Sequence, residues 1–289
     1  MDHLEYLMES EEECLRLEAK TDPALVEQQA IWAGIRPGMR VADLGCASGK
    51  TTSILHRIVQ PQGSVVGIDF SEERLRYARN NYSSEGIEFI CRDIRQPLDG
   101  MGSFDMIWIR FILEYFCSNA FEIVRNASSI LKPGGIICVI DLDHNCMNHY
   151  GLPERLERTI TKCSDILQDK FNFDPYAGRK LYSFLYDLGY NDVAVNVSAH
   201  HTIYGTLSAT DAFNWKKKIE VVSEKIGPVF NEYGGGCEEF MEEFNRFFSD
   251  PRRFSYTPLI SVRGRKPLDK APISDKGITG ESTVDADNG

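Results

Sequence analysis

Short apolar runs, each ending in polar or acidic residues and each followed by an amphipathic stretch, recur along the first half of the chain. Val41–Leu44, Ser64–Ile68, Ile87–Cys91, Phe104–Ile109 and Ile136–Ile140 read as strands. The fourth is nearly continuous in apolar residues, as expected of a strand covered on both faces. Between them the pattern predicts helices: Ser71 reads as an N-cap, with Glu72 and Glu73 in the first turn. Leu131-Lys132-Pro133-Gly134-Gly135 ends one helix and returns the chain sharply to the sheet. Later, Asp192–Ser198 alternates as a strand, and Phe254–Val262 reads as another whose Pro258 argues for an edge or a bulge. Strands alternating with helices, with polar residues at their carboxyl ends, imply a parallel, doubly wound sheet with a ligand in the crevice above it.

The most informative stretch is Val41-Ala42-Asp43-Leu44-Gly45-Cys46-Ala47-Ser48-Gly49, a buried strand that turns through small residues into a helix beginning near Lys50. Gly45, Ala47 and Gly49 leave the loop backbone open to a ligand, and the helix N-terminus offers unpaired N–H groups. Ser48-Gly49-Lys50-Thr51 looks like the end of a phosphate-binding P-loop, but Leu44 stands where that motif needs its first glycine. The dinucleotide fingerprint fails at Ala47 and at Lys50. Asp43 puts a negative charge beside the loop, which favours a cation over a phosphate.

S-adenosylmethionine carries a sulfonium and an ammonium group, and here the chain resembles the class I S-adenosylmethionine-dependent methyltransferases. Asp43, Leu44, Gly45, Cys46 and Gly49 match the family's first motif, with Ala47 in place of its middle glycine. The resemblance implies a Rossmann-like, seven-stranded, mostly parallel doubly wound sheet with helical lid insertions, closed by an antiparallel hairpin. It implies a cofactor site at Asp43, Gly45, Cys46, Ala47, Ser48 and Gly49. To these it adds Asp69 for the ribose hydroxyls, Phe70 for the adenine face, Arg74 beside them, and Asp93 with Ile94 for the adenine amino group. Arg110 and Phe111 would lie at the methionine end, Arg110 pairing with the cofactor carboxylate or a substrate anion. A helix pair with Glu114 is the competing reading of Arg110.

The family frame implies an N-terminal helical lid over residues 1–30, a methyltransferase domain over 31–266 with insertions at about 145–190 and 206–249, and a disordered tail over 267–289. The small, polar, acidic composition from Pro267 onward agrees with the last of these. Arg16 in the lid and Tyr150 in the first insertion are candidate substrate contacts. Aromatic residues of that insertion, among them Phe171, Phe173, Tyr176, Tyr182, Phe184 and Tyr186, are candidates to wall an apolar pocket. Either insertion is a candidate dimer surface, so the chain is expected to be a monomer or a homodimer.

The formal charge of −11, from 43 acidic and 32 basic residues, sets net repulsion against a phosphate-coated partner, so nucleic acid is not expected. The compact basic run Lys216–Lys218 reads as a solvated helix face with Glu220 and Glu224. No apolar stretch approaches the roughly 18 residues needed to cross a bilayer, and no secretory signal pattern opens the chain. Eight cysteines without a C-x-x-C pair fit reduced thiols in a cytoplasm and no metal.

Methyl transfer from a sulfonium asks mainly for geometry and dryness. A base is needed only if the acceptor must lose a proton, and His144, His149, His200 and His201 are the candidates. His144 ranks first by its nearness to Asp141 and Asp143, either of which could orient it. The expected activity is methyl transfer from S-adenosylmethionine to a small, partly apolar acceptor, with S-adenosylhomocysteine as product. The alternatives are a protein or RNA methyltransferase and a non-catalytic S-adenosylmethionine-binding protein.

Overall fold

Val41, Ala42 and Leu44 expose no surface, and apolar residues buried on both faces make β1 (Arg40–Leu44) an inner strand of an eight-stranded sheet. The computed structural model describes residue 18 and residues 21–145, 147–209, 211–213, 215, 219 and 226–268. β2 (Ser64–Asp69) and β4 (Phe104–Arg110) flank β1 in parallel. β3 (Ile87–Cys91) pairs with β2, and β5 (Leu131–Leu142) with β4, again in parallel. The chain order reverses between β1 and β4, which opens a crevice at their carboxyl ends.

Helices cover both faces. α4 (Ala120–Ser129) and α6 (Ala177–Asp187) pack on one side through Ile123, Val124, Leu181 and Leu185. On the other side, α1 (Pro23–Ala33) and α2 (Lys50–Val59) contribute Val26, Ala30, Ile54 and Leu55. α1 starts where Asp22 accepts the Ala24 N–H at 2.9 Å and stops at Gly34, whose φ of 99° an L side chain would resist. It runs through residue 30, where the lid is expected to end. The expected lid helix over Leu4–Leu17, Arg16 within it, the Lys216–Lys218 run and the tail beyond residue 268 lie outside the described residues.

The expected hairpin is β7 (Asn191–Tyr204) with β8 (Phe254–Arg265), both longer than their apolar runs. β8 lies antiparallel to β5 and is an interior strand. Beside its first residues the β5 edge is continued by an eighth, three-residue strand, β6 (Asn148–Tyr150), which no sequence period betrays. Pro258 sits in the gap between the two. Its carbonyl accepts from the Asp143 N–H at 2.9 Å, so its missing donor faces a place where no ladder bond is needed. β5 also begins earlier than expected, because Gly134 and Gly135 exchange backbone hydrogen bonds with Lys266 at 2.9 Å each.

A second core packs against the end of the sheet, where Ile203 of β7 joins it and the His149 ring of β6 lies 5.6 Å from Trp215, Phe247 and Phe248. α5 (Glu154–Phe171), a 3-10 turn (Gly227–Glu232) and α7 (Gly236–Ser249) bury Phe230, Tyr233, Phe240, Phe244, Phe247 and Phe248 against Trp215 and Leu156. Most aromatic residues of the second insertion are therefore packing, while Phe213 is exposed. Among the described residues no helix is long and apolar enough to cross a membrane.

Candidate functional site

The loop after β1 is held by its neighbours rather than by its own side chains. Gly45 and Cys46 donate their N–H groups to the Ile68 carbonyl at 2.7 and 3.1 Å, and Gly49 donates to Cys46 at 2.9 Å. Gly45 has φ 76°, and a Cβ there would stand 2.1 Å from Cδ1 of Ile112, so the position requires glycine. Gly49, with φ 86°, is needed for a different reason: a Cβ would lie 2.8 Å from that of Ala78 on α3 (Glu72–Tyr82). Ala47 holds φ 46° with its methyl group in place, at a cost of roughly 1–2 kcal/mol.

Asp69, at the tip of β2, joins this loop to the next helix. Its Oδ2 accepts the Ala47 N–H and its Oδ1 the Ser71 N–H, each at 3.0 Å. Arg74 Nη1 lies 3.9 Å from Oδ1. The next side chain, Phe70, is 41% exposed and lines the cleft, with the Arg74 guanidinium 5.9 Å from its ring centroid. At the tip of β3, Asp93 takes a bidentate pair from Arg95, with Nε at 2.9 Å and Nη2 at 2.7 Å. Burial alone would raise the Asp93 carboxyl, but the hydrogen bonds and charge of Arg95 outweigh it and hold the group below its ordinary value.

These residues line one cleft of about 820 Å³, counting the open solvent at its mouth, which is within the range of small-molecule sites. Gly45, Cys46, Ala47, Ser48, Asp69, Phe70, Arg74, Asp93, Ile94, Arg110 and Phe111 meet there. Asp43 and Gly49 do not reach its wall. Asp43 is 2% exposed and accepts the Thr52 hydroxyl at 2.7 Å beneath the loop. Burial pushes its carboxyl up to about 7; the Thr52 hydrogen bond and the Arg110 charge lower it, and the Asp69 charge raises it. Arg110 donates from Nε to Gln29 at 3.1 Å, while Glu114 accepts from Asn145 at 2.7 Å. Lost hydration lowers the Arg110 guanidinium to about 10, against the charges of Asp43, Asp141 and Asp22.

Thr21, Lys50, Thr51, Arg92, Ile112 and Phe116 also line the cleft, unanticipated from the sequence. Lys50 and Thr51 open α2, and a helix-start assignment gave the signal for them; Thr21 carries none. Glu18 straps the loop from outside: its carboxylate accepts from Ser48 Oγ and from the Tyr82 hydroxyl, each at 2.7 Å.

Two candidates fall elsewhere. Tyr150 is 74% exposed on β6 and absent from the cleft wall. His144 is half-buried with its ring 5.0 Å from that of Tyr176. Neither acid expected to orient it does so. Asp141 accepts the Leu113 and Leu142 N–H groups at 2.8 and 2.9 Å, and Asp143 takes a bidentate pair from Arg179 at 2.8 and 2.9 Å. The expected aromatic wall also disperses: Phe173 packs on Tyr115, Phe184 on Phe121, and Tyr182 stacks on an exposed Tyr186.

The donor set fits S-adenosylmethionine. The Gly45 cradle would be filled by a Cβ, a carboxylate stands at the β2 tip beside an aromatic ring that lines the cleft, and a guanidinium lines the same cleft. When bound, that group supplies an electrophilic methyl on a sulfonium.

Comparison with known proteins agrees. The family profile described as "Methyltransferase domain" matches residues 35–189. The demethylmenaquinone methyltransferase of Staphylococcus aureus strain JH9 is 29% identical over 123 residues, 40% of this chain. The match spans about half, 51%, of that relative's length. Among solved structures, the YcgJ protein from Bacillus subtilis superposes with a TM-score of 0.57 at 18% identity, over 85% of this chain and 99% of its own. The BH2331 protein of Bacillus halodurans C-125 gives 0.56 at 19% identity, over 86% and 99%. Both likenesses concern the fold.

Proposed function

The chain belongs to the methyltransferase-domain family, and on that footing we propose that it transfers a methyl group from S-adenosylmethionine to a small, partly apolar acceptor. The observation that carries the proposal is the meeting of the Gly45–Ser48 loop, Asp69, Phe70 and Arg110 on one cleft at the carboxyl ends of β1, β2 and β4. In this reading Asp69 accepts the ribose hydroxyls, and Phe70 packs on the adenine. Asp93, oriented by Arg95, accepts from the adenine amino group. Arg110 pairs with the cofactor carboxylate. Asp43 acts from beneath the loop through Thr52 rather than by touching the cofactor.

The protein's work is then to orient two reactants and to keep water out. Holding nucleophile and methyl at near-attack distance supplies about 7–11 kcal/mol. A small acceptor is supported by the match to a relative named for its action on demethylmenaquinone, and by the net charge of −11, which opposes a nucleic-acid substrate. No base is assigned, since the acids that would have oriented His144 are engaged by Arg179 and by backbone amides.

Calorimetric titration with S-adenosylhomocysteine tests the cofactor, and a donor assay against phenols, quinones and amines tests the acceptor. Binding to the cofactor product together with turnover of one of these acceptors is the expected result. Failure of the intact protein to bind it would overturn the proposal.

A further inference from the structure

β8 presents two unlike faces. Ser255, Thr257, Leu259 and Ser261 are buried, whereas the alternating Phe254, Tyr256, Pro258 and Ile260 reach solvent at least in part. Directly paired residues of neighbouring strands share a face. Tyr150 and Tyr204 both pair with Phe254, Val197 pairs with Ile260, and Val195 with Val262. Tyr150 is 74% exposed, Tyr204 70%, Val197 64%, Val195 47%, Phe254 43% and Tyr256 38%, with the rings of Phe254 and Tyr256 5.7 Å apart. α6 covers the part of this face around Ile260, Val262 and Gly264, where Leu181, Leu185 and Tyr190 pack. What remains is a largely apolar sheet face across β6, β8 and β7, with Asn148 opposite Tyr256 as its polar member.

We infer that this face is the contact between two copies of the chain, related by a twofold axis. Three observations select that occupant. The strand residues that form the face are uncharged, with Arg252 beside Tyr150 paired to Asp250 at its border, on a chain of net charge −11, so an anionic lipid surface or a nucleic acid meets no free basic patch, whereas a second copy meets the same neutral surface. The six exposed side chains offer on the order of 600 Å² per copy, at 150–250 Å² for a fully exposed aromatic. Both sides together reach about 1,200 Å², the lower limit of a standard stable interface. The patch is bordered by β7, an edge strand that pairs only with β8 among the described residues and carries Asp192 as its one acidic or basic guard besides two histidines. A long, nearly uncharged edge is normally protected, and a symmetric partner would protect it.

Light scattering and sedimentation across a wide concentration range test this independently of the methyl-transfer reading. The full chain is expected at twice its mass of 32.7 kDa. Val197→Glu and Tyr204→Glu are expected to return it to a monomer with an unchanged thermal midpoint. Ile31→Glu, at a 60% exposed site on α1, is expected to leave the dimer intact. A monomer at every concentration would overturn the inference, as would a dimer untouched by both glutamates. Flotation of a monomeric wild type with phosphatidylcholine vesicles, lost in the two variants, would also overturn it and identify the face as a lipid surface.

Discussion

The backbone N–H of Ala47 donates to Oδ2 of Asp69 at 3.0 Å, so the carboxylate at the tip of β2 holds the loop that follows β1. Asp69→Ala therefore removes more than the proposed ribose contact, because the amides of Ala47 and Ser71 lose their acceptor as well. Hydrogen bonds to a charged group contribute about 1.5–3 kcal/mol each. Affinity for S-adenosylhomocysteine is expected to fall by about a hundredfold or more, read by calorimetry. Asp69→Asn, which keeps one carbonyl oxygen, is expected to lose less. Undiminished binding by the alanine variant would remove Asp69 from the site.

Asp43 makes stability depend on pH. In the folded protein its carboxyl holds a proton up to about 7, whereas an unfolded carboxyl releases it near 3.8. The stability this provides is complete below the unfolded value and is lost as pH rises through about 7. A shift of that size corresponds to about 4 kcal/mol. Asp43→Asn keeps an acceptor for Thr52 but cannot ionise, so its melting temperature is expected to vary less between about pH 5 and 8 than that of the wild type. Parallel profiles would contradict the raised value.

Gly45→Ala would push a Cβ to 2.1 Å from Ile112 while holding an unfavourable φ of 76°. Overpacking and left-handed strain together are expected to cost about 3 kcal/mol, measured by urea unfolding. Adding Ile112→Ala should relieve the clash and leave the strain, so the double variant is expected to recover only part of the loss.

Arg110 is the cation proposed for the cofactor carboxylate. Arg110→Met is expected to raise KM for S-adenosylmethionine at least tenfold while decarboxylated S-adenosylmethionine loses little. Equal losses for the two donors would show that Arg110 acts on the acceptor or on the fold.

Much of the cleft lining is legible in the sequence because each element there joins an apolar strand to a polar tip in consecutive residues. Asp69 and Arg110 end their strands, Phe70 and Phe111 follow directly, and both pairs line the cleft. Asp43 shows the limit of that logic. A strand-end acid is expected in the site, yet Thr52 lies nine residues on, in the first turn of α2, and donates to the carboxylate from below. Thr21 and Phe116 reach the cleft only through the fold's long-range packing, which no local period records. The aromatic residues of the insertions misled for the opposite reason. Composition marks them as apolar surface, but only three-dimensional packing separates Phe240 in a core from Tyr150 in solvent. Pro258 argues in the sequence for an edge or a bulge, yet it sits in an interior strand, paired with Ala199 without a register shift, where β5 and β6 leave a gap beside it.

The separate aromatic core has a thermal consequence. None of its buried side chains, from Leu156 to Phe248, belongs to the clusters around β1 to β5. Its opening free energy is set by its own contacts and by those to Ile203 and His149 at the end of the sheet, and amide protons of α5 and α7 can exchange with deuterium as one group while those of β1 and β4 stay protected.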